Sequence, residues 1–247
     1  MEKLNQSDLK DFVERNIGDF HKKRIIKLEK LRLKNVLKRK NPYLFKAKNV
    51  LTSQELVATI LDAYLSSQEE TIFGDFLEKL AIYVNSIIYG GWKSSAEGID
   101  LEYDKDNIRY IVSIKSGPNW GNSSQIKRLR NNFKKAKKTL RTSNSKLHAI
   151  AINGCCYGED PKADKVDYFK LCGQNFWKEI TGEEDFYIKI IEPLGHSAKE
   201  KNDEFNKSYA RMINKFTYEF SLLFCNDGMI DWAKLLKFNS GNGIMIF

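Results

Sequence analysis

The sequence predicts an α/β chain: a small mixed sheet flanked by helices, with helical additions at both termini. Three observations carry that reading. Gly98–Ser116, GIDLEYDKDNIRYIVSIKS, sets two apolar-rich runs around a cluster of turn formers, as a β-hairpin does. Ile72, Phe73, Phe76, Leu77, Leu80, Ala81, Val84, Ile87 and Ile88 give the strongest helical periodicity in the chain. After a polar helix, Leu147–Ile152 and Val166–Leu171 read as two further strands.

Taken in order, residues 8–40 read as helical, with Leu9, Phe12, Val13 and Ile17 on one stripe, and Asn41-Pro42 ends the stretch. Thr52-x-x-Glu55 is a capping box that opens a helix to about Leu65. The Ile72–Ile88 helix stops at Gly90-Gly91. In the hairpin, Lys105 and Asp106 as the loop residues set Asp100 opposite Ile111. Alternation then puts Asp100, Glu102, Ile111, Ser113 and Lys115 on one face, and Ile99, Leu101, Tyr110, Val112 and Ile114 on the other. A polar loop leads into a basic helix ending near residue 142. Helices over Asn175–Ile180, Ser197–Phe224 and Ile230–Phe238 follow the last strand.

Composition fits one domain over residues 1–247: a helical part to residue 66, a core over 67–172 and a helical part over 173–247. A chain of 247 residues that is 42% hydrophobic supports a single sizeable core, and its 4 prolines mark no linker. No apolar run approaches membrane-spanning length, and MEKLNQSDLKDF lacks the apolar centre of a signal peptide. Cys155, Cys156, Cys172 and Cys225 have no CxxC spacing and read as reduced thiols of a cytoplasmic protein. The scattered His21, His148 and His196 argue against a zinc site.

Net charge is +9, and it is unevenly placed. His21–Lys48 holds twelve Lys/Arg against the single acid Glu29, and no acid lies between Asp106 and Glu159. Lys127, Arg128, Lys134 and Lys135 fall within that gap on neighbouring helical turns. A solvated helix mixes both signs; a one-signed face of this density suits closely spaced phosphates. Duplex nucleic acid is the expected partner, and no membrane.

An acid and a lysine sharing the end of a short sheet suit metal-assisted cleavage of a phosphodiester. A carboxylate holds a hard cation such as Mg²⁺, and an ammonium orients the attacking water and offsets charge. Asp100 followed fifteen residues later by Lys115 on the next strand resembles the PD-(D/E)xK nuclease core. Ile99 replaces its Pro, and Ser113 stands where its second acid belongs. Glu78, on the edge of the apolar stripe of its helix, ranks first to complete the metal site and Glu102 second. Glu97 has the wrong strand parity. In the loop after Lys115, Asn119, Asn122, Ser123, Ser124 and Gln125 suit phosphate or base contacts, and Ser123 or Ser124 also suits the helix N-cap. Trp120 packs over the core or touches DNA.

NPYLFKAKN (Asn41–Asn49), IFGDFLEKLA (Ile72–Ala81), GIDLEY (Gly98–Tyr103), VSIKSGPNWGNSSQ (Val112–Gln125) and GQNFWKEITG (Gly173–Gly182) together resemble type II restriction endonucleases of the PmeII and AvaII kind. The resemblance implies a restriction-endonuclease-like core and a homodimeric, Mg²⁺-dependent enzyme that cuts both strands of duplex DNA within a short palindrome, with a GG…CC-type site. It gives Asp100 the metal and Lys115 the water. It also implies a cognate DNA methyltransferase in the same system, without a stable complex. A structure-selective repair or Holliday-junction nuclease would share core and charge but read DNA shape. A non-catalytic DNA-binding module would lack metal dependence, and an RNA-binding protein would need aromatic stacking platforms.

Overall fold

The computed structural model describes residues 4–143 and 148–242. Its elements in chain order are α1 (Gln6–Glu29), α2 (Leu33–Leu37), α3 (Pro42–Ala47), α4 (Ser53–Tyr89), β1 (Trp92–Lys93), β2 (Leu101–Lys105), β3 (Ile108–Lys115), α5 (Ser123–Ser143), β4 (His148–Cys155), β5 (Phe169–Cys172), α6 (Gln174–Thr181), α7 (Phe186–Lys189), α8 (Ile191–Leu194), α9 (Ala198–Phe224), β6 (Cys225–Asn226), β7 (Met229–Ile230) and α10 (Trp232–Ser240). The mixed α/β architecture is the one the sequence predicts. Among the described residues, no helix is long and apolar enough to cross a membrane.

The chain divides into two compact units, one built from residues up to Ile17 with Phe73–His196, the other from Gly18–Ile72 with Ser197 onward. The first unit holds a five-stranded sheet in the order β1-β2-β3-β4-β5. β1, β2 and β3 pair antiparallel, whereas β3, β4 and β5 pair parallel. A parallel pair needs a crossover, and α5 supplies it between β3 and β4. Apolar residues cover both faces. Leu101, Tyr103, Val112, Ile114 and Ile152 pack with Leu77, Leu80, Ala81 and Val84 of α4 and with Phe176 and Trp177 of α6. Ile111 and Ala151 pack on the opposite face with Leu129, Phe133 and Ala136 of α5. Each large side chain so buried contributes about 1.5–3 kcal/mol relative to exposure. The second unit has its own helical core, in which Leu28, Val36, Leu56, Ile60, Phe216, Phe220 and Phe224 are buried.

Several boundaries depart from the sequence expectation. Residues 8–40 break into α1 and α2 because Leu31 and Leu33 are both buried, which an extended Arg32 between them permits (φ −129°, ψ 129°). Asn41-Pro42 opens a helix as well as closing one: Asn41 accepts the Tyr43 amide at 3.0 Å, and Pro42 occupies the first turn of α3. The two helices expected over 52–65 and 72–88 are one 37-residue α4. Polar Ser66–Thr71 continues it, since Leu65 and Ile72 lie two turns apart on the same buried stripe. β4 runs on to Cys155, and Leu147 lies outside the described residues. β5 begins at Phe169 rather than Val166, which sits in a turn at φ +72° with its amide on Asp164 Oδ1 at 2.7 Å.

The hairpin turn also moves by one residue. Lys105 pairs with Ile108, so Asp106 and Asn107 form the two-residue loop, both at positive φ (52° and 61°). Asp and Asn tolerate that region better than Lys, and consecutive left-handed residues match the twist of the strands. Moving the turn by one residue shifts every cross-strand partner by two. Glu102 therefore faces Ile111, and Asp100 comes level with Ser113, while side-chain faces are unchanged. Ile99 is the exception: it packs with Ile111 and α5, opposite to its expected face. Gly98 at φ +72° breaks the alternation before β2, and a Cβ there would lie 2.1 Å from Asn132 Nδ2.

Two loops at the carboxyl ends of β3 and β4 lean on each other. Gly158 (φ +84°) approaches Pro118 so closely that a Cβ would lie 2.6 Å from Pro118 Cγ. Lys170 Nζ donates to the Pro118 carbonyl at 3.0 Å and pairs with Asp160 Oδ2 at 3.0 Å, while Lys165 holds Asp160 Oδ1 at 2.9 Å. Lys165, followed by Lys170 and the Lys162 amide, depresses the Asp160 carboxyl to about 2. A depressed carboxyl stabilises the fold above its unfolded value, about 3.9, and the contribution is lost as pH falls through the folded value. Asp160→Asn should therefore melt below the parent protein at neutral pH, with the gap closing between about pH 4 and pH 2. Thermal melts across that range check it; a gap that does not vary with pH would mean the carboxylate is not responsible.

Candidate active site

Asp100 precedes β2, tied to β3 by its amide, which donates to the Val112 carbonyl at 2.8 Å. Its carboxylate turns along the sheet, and Oδ2 accepts the Ile114 amide at 2.6 Å and the Ser113 hydroxyl at 3.4 Å. Lys115, the last residue of β3, brings Nζ to 3.7 Å from Asp100 Oδ2 and donates to the Ile114 carbonyl at 2.7 Å. The acid and the lysine thus meet at one end of the sheet, each fixed by the backbone of β3. Ser113 is 1% exposed and acts on Asp100 as a donor.

Glu78, on α4, lies near enough for the charges of Asp100 and Lys115 to act on its carboxyl. Its neighbours Leu77 and Ala81 are buried in the core, which sets the edge of the helix toward the sheet end. Burial raises its carboxyl above the ordinary range, the Asp100 charge adds to that, and Lys93 and Lys115 oppose it. Lys93 Nζ lies 3.5 Å from Glu78 Oε1. Two hard carboxylates that repel each other across a partly buried space form a donor set suited to a small divalent cation. Among the described residues, no group of three or more His, Cys, Asp or Glu converges as a metal cage. Mg²⁺ does not require one, because it keeps several waters and is bound through one or two carboxylates plus substrate phosphate. The residues present fit that ion.

The rival acids are engaged elsewhere. Glu102 Oε1 accepts the Ser94 hydroxyl at 2.6 Å, and Oε2 pairs with Arg109 at 3.2 Å. Glu97 pairs with Arg128 at 2.9 Å and Lys135 at 3.9 Å, which hold its carboxyl below the ordinary range. Burial pushes the Cys155 thiol up to about 12, and burial also raises Cys156. Both thiols are therefore protonated and inert beside the lysine.

The loop after Lys115 divides its polar residues between tasks. Asn122 is the N-cap of α5, in place of the expected Ser123 or Ser124. Its Oδ1 accepts the Gln125 amide at 3.1 Å and the Ser124 hydroxyl at 2.7 Å, while Gln125 Oε1 accepts the Asn122 amide at 2.9 Å. This reciprocal box occupies the side chains of Asn122 and Gln125. The longer Asn side chain closes the box on the third amide of the helix, and Ser123 becomes its first residue. Asn119 and Ser123 are exposed. Trp120 turns inward, donating its indole N–H to Asn153 Oδ1 at 3.1 Å and packing at the edge of the α5 core. Farther along α5, Ser124, Lys127, Arg128, Lys134 and Lys135 line a depression of about 510 Å³ together with Asn131, Asn132 and Glu97.

The profile of the type II restriction endonuclease EcoO109I family matches residues 7–202, most of the 247-residue chain. The chain belongs to that family. As an EcoO109I-family protein it is a type II restriction endonuclease, a class that acts on DNA and generally uses divalent metal ions. A comparison with curated proteins returns no match.

Within this family member, the sequence singles out Asp100, Ser113, Lys115 and Glu78 but neither Asn153, which bonds Ser113, nor Lys93, which pairs with Glu78. Asn153 had a signal: it is a lone amide inside the apolar run of a parallel strand, where buried strands read as continuous hydrophobics. Lys93 carries no local signal, since its place depends on tertiary pairing. The pairing of Glu102 predicts that Glu102→Gln lowers the melting temperature while leaving cleavage near the parent rate. Glu78→Gln should lose cleavage nearly as fully as Asp100→Ala. Single-turnover DNA cleavage with parallel melts separates the two, and a dead Glu102→Gln with an active Glu78→Gln would reverse the assignment.

Proposed function

We propose that the chain is a Mg²⁺-dependent, site-specific deoxyribonuclease of the PD-(D/E)xK kind that hydrolyses both strands of duplex DNA at a short palindromic site. The observation that carries this reading is the meeting of Asp100 and Lys115 at the sheet end with Glu78 facing them from α4. The whole chain works as one nuclease and, to cut both strands of a palindrome, as a homodimer. Kinship with the PmeII and AvaII kind, a cytoplasmic location and a separately acting cognate methyltransferase belong to the same proposal.

Asp100 and Glu78 would hold the metal, with Ser113 fixing the Asp100 carboxylate. When bound, Mg²⁺ offers positive charge to the scissile phosphate and lowers the pKa of a coordinated water. Lys115 directs its ammonium toward the attacking water and balances charge that accumulates on the phosphate oxygens. Its grip on the Ile114 carbonyl limits its motion, so little reorganisation is needed as charge develops. The cations of the α5 depression would neutralise backbone phosphates away from the cut and set the duplex in register without reading its sequence.

Asp100→Ala and Lys115→Ala should each lose roughly a thousandfold or more in cleavage, about 4 kcal/mol of transition-state stabilisation, with melting and DNA binding retained. EDTA should abolish cutting and Mg²⁺ restore it. A plasmid of known sequence, digested and end-mapped, tests site specificity; cutting confined to branched or nicked DNA would favour a structure-selective nuclease.

DNA affinity should fall with salt at a slope of about −0.9 per neutralised phosphate. Lys134→Ala combined with Lys135→Ala should make the slope shallower. A slope unchanged by the double substitution would remove α5 from the DNA surface.

A further inference from the structure

Asp100 and Lys115 belong to a closed ring of contacts that returns to its starting residue. Ser113 Oγ donates to Asp100 Oδ2 at 3.4 Å, and Asp100 Oδ2 lies 3.7 Å from Lys115 Nζ. Lys115 Nζ stands 5.5 Å from the centroid of the Trp120 ring. Trp120 Nε1 donates to Asn153 Oδ1 at 3.1 Å, and Asn153 Nδ2 donates to the Ser113 carbonyl at 3.2 Å. The parallel register of β3 and β4 puts Ser113 level with Asn153, which closes the ring.

We infer that Trp120 and Asn153 are positioning residues for Lys115, holding its ammonium over the aromatic face and beside Asp100. The inference rests on the reading of Lys115 as catalytic. Asn153 is fully buried, and both ends of its amide are used within the ring. A buried amide so satisfied fixes its own orientation, because a flipped amide would lose both bonds. The indole N–H is consequently occupied, and the ring face is the part of Trp120 left to act. A cation within about 6 Å of a tryptophan centroid is attracted by the ring quadrupole. The ammonium is only partly exposed, with 31% of the side chain accessible, so the attraction is less diluted than at an open surface. A lysine drawn to both a carboxylate and a ring has fewer rotamers to search than one held by the carboxylate alone. Trp120 also ties the loop over residues 116–122 to the sheet end, so the start of α5 and the lysine are anchored to the same amide.

The test compares Trp120→Leu, which removes the ring, with Trp120→Phe, which keeps a π face and removes the N–H. The readouts are single-turnover cleavage of a plasmid cut by the parent protein, DNA affinity with Ca²⁺ replacing Mg²⁺, and thermal melting. Trp120→Leu should slow cleavage about two- to thirtyfold, the range a cation–π contact converts to, with DNA affinity within about twofold of the parent. Trp120→Phe should recover part of the rate, because it keeps a ring face for the ammonium and loses the bond to Asn153. Phe also fills more of the indole volume than Leu, so the discriminating result is a rate recovered by Phe without a matching gain in melting temperature, which a purely space-filling role would not produce. Should Trp120→Leu lose its melting transition, Trp120→Met keeps flexible bulk without a π face and makes the same comparison. Equal rates for the Leu (or Met) and parent proteins would overturn the inference, as would a rate loss matched by an equal loss of DNA affinity. Lys115→Ala, assayed alongside, separates the two levels. An active Lys115→Ala protein would remove the underlying reading of the site, whereas a dead one beside an unaffected Trp120→Leu protein would remove only the role of Trp120.

Discussion

Strand β3 is paired on both sides in opposite senses, and the two registers meet at Ser113. On one side the antiparallel ladder to β2 brings Asp100 level with Ser113. On the other the parallel ladder to β4 brings Asn153 level with the same residue. The meeting of Asp100 with Lys115 hangs on β3, because Asp100 reads the Ile114 amide and Lys115 reads the Ile114 carbonyl. The peptides on the two sides of Ile114 thus fix a carboxylate and an ammonium in a common frame. A slip of either partner strand by one residue would invert its side chains and separate them.

The helices supply what the sheet cannot. β3 offers Ser113 where a second acid is expected, and a 37-residue helix brings Glu78 to the same end. A carboxylate delivered from a helix is placed by packing, through Leu77 and Ala81, rather than by ladder hydrogen bonds. The two acids therefore have independent supports, and their mutual repulsion is held in place by the core. Burial first, and the Asp100 charge second, raise the Glu78 carboxyl, the sort of tension a cation relieves.

What the sequence made legible was parity. The faces of Asp100, Glu102, Ser113 and Lys115 came out as expected although the turn was assigned one residue early, because a one-residue move of the loop shifts partners by two and leaves alternation intact. The turn itself was ambiguous, since Asp104–Asn107 is polar throughout and only tolerance of positive φ separates Asp106-Asn107 from Lys105-Asp106. Boundaries failed where tertiary burial overrode local signals, as at Arg32 between two buried leucines and along the polar middle of α4. Side-chain partners set by the fold were out of reach. Nothing near Glu102 in sequence announces that Ser94 and Arg109 will occupy it, and nothing near Trp120 announces Asn153.

The flanks of the sheet bear on behaviour in a crowd. β1 is two residues long, and β5 is four, with an antiparallel bridge between Asp164 and Phe169 folded against it. Trp92 is covered by the Arg109 guanidinium at 4.7 Å from its ring centroid. Open backbone at a sheet border is a template for strand recruitment between molecules, and its reach scales with the length of the uncovered ladder. A basic protein that gathers on a polyanion raises its own local concentration many times over. Borders this short leave neighbouring copies on the same DNA little backbone to grasp, so crowding along the duplex need not end in intermolecular β-pairing.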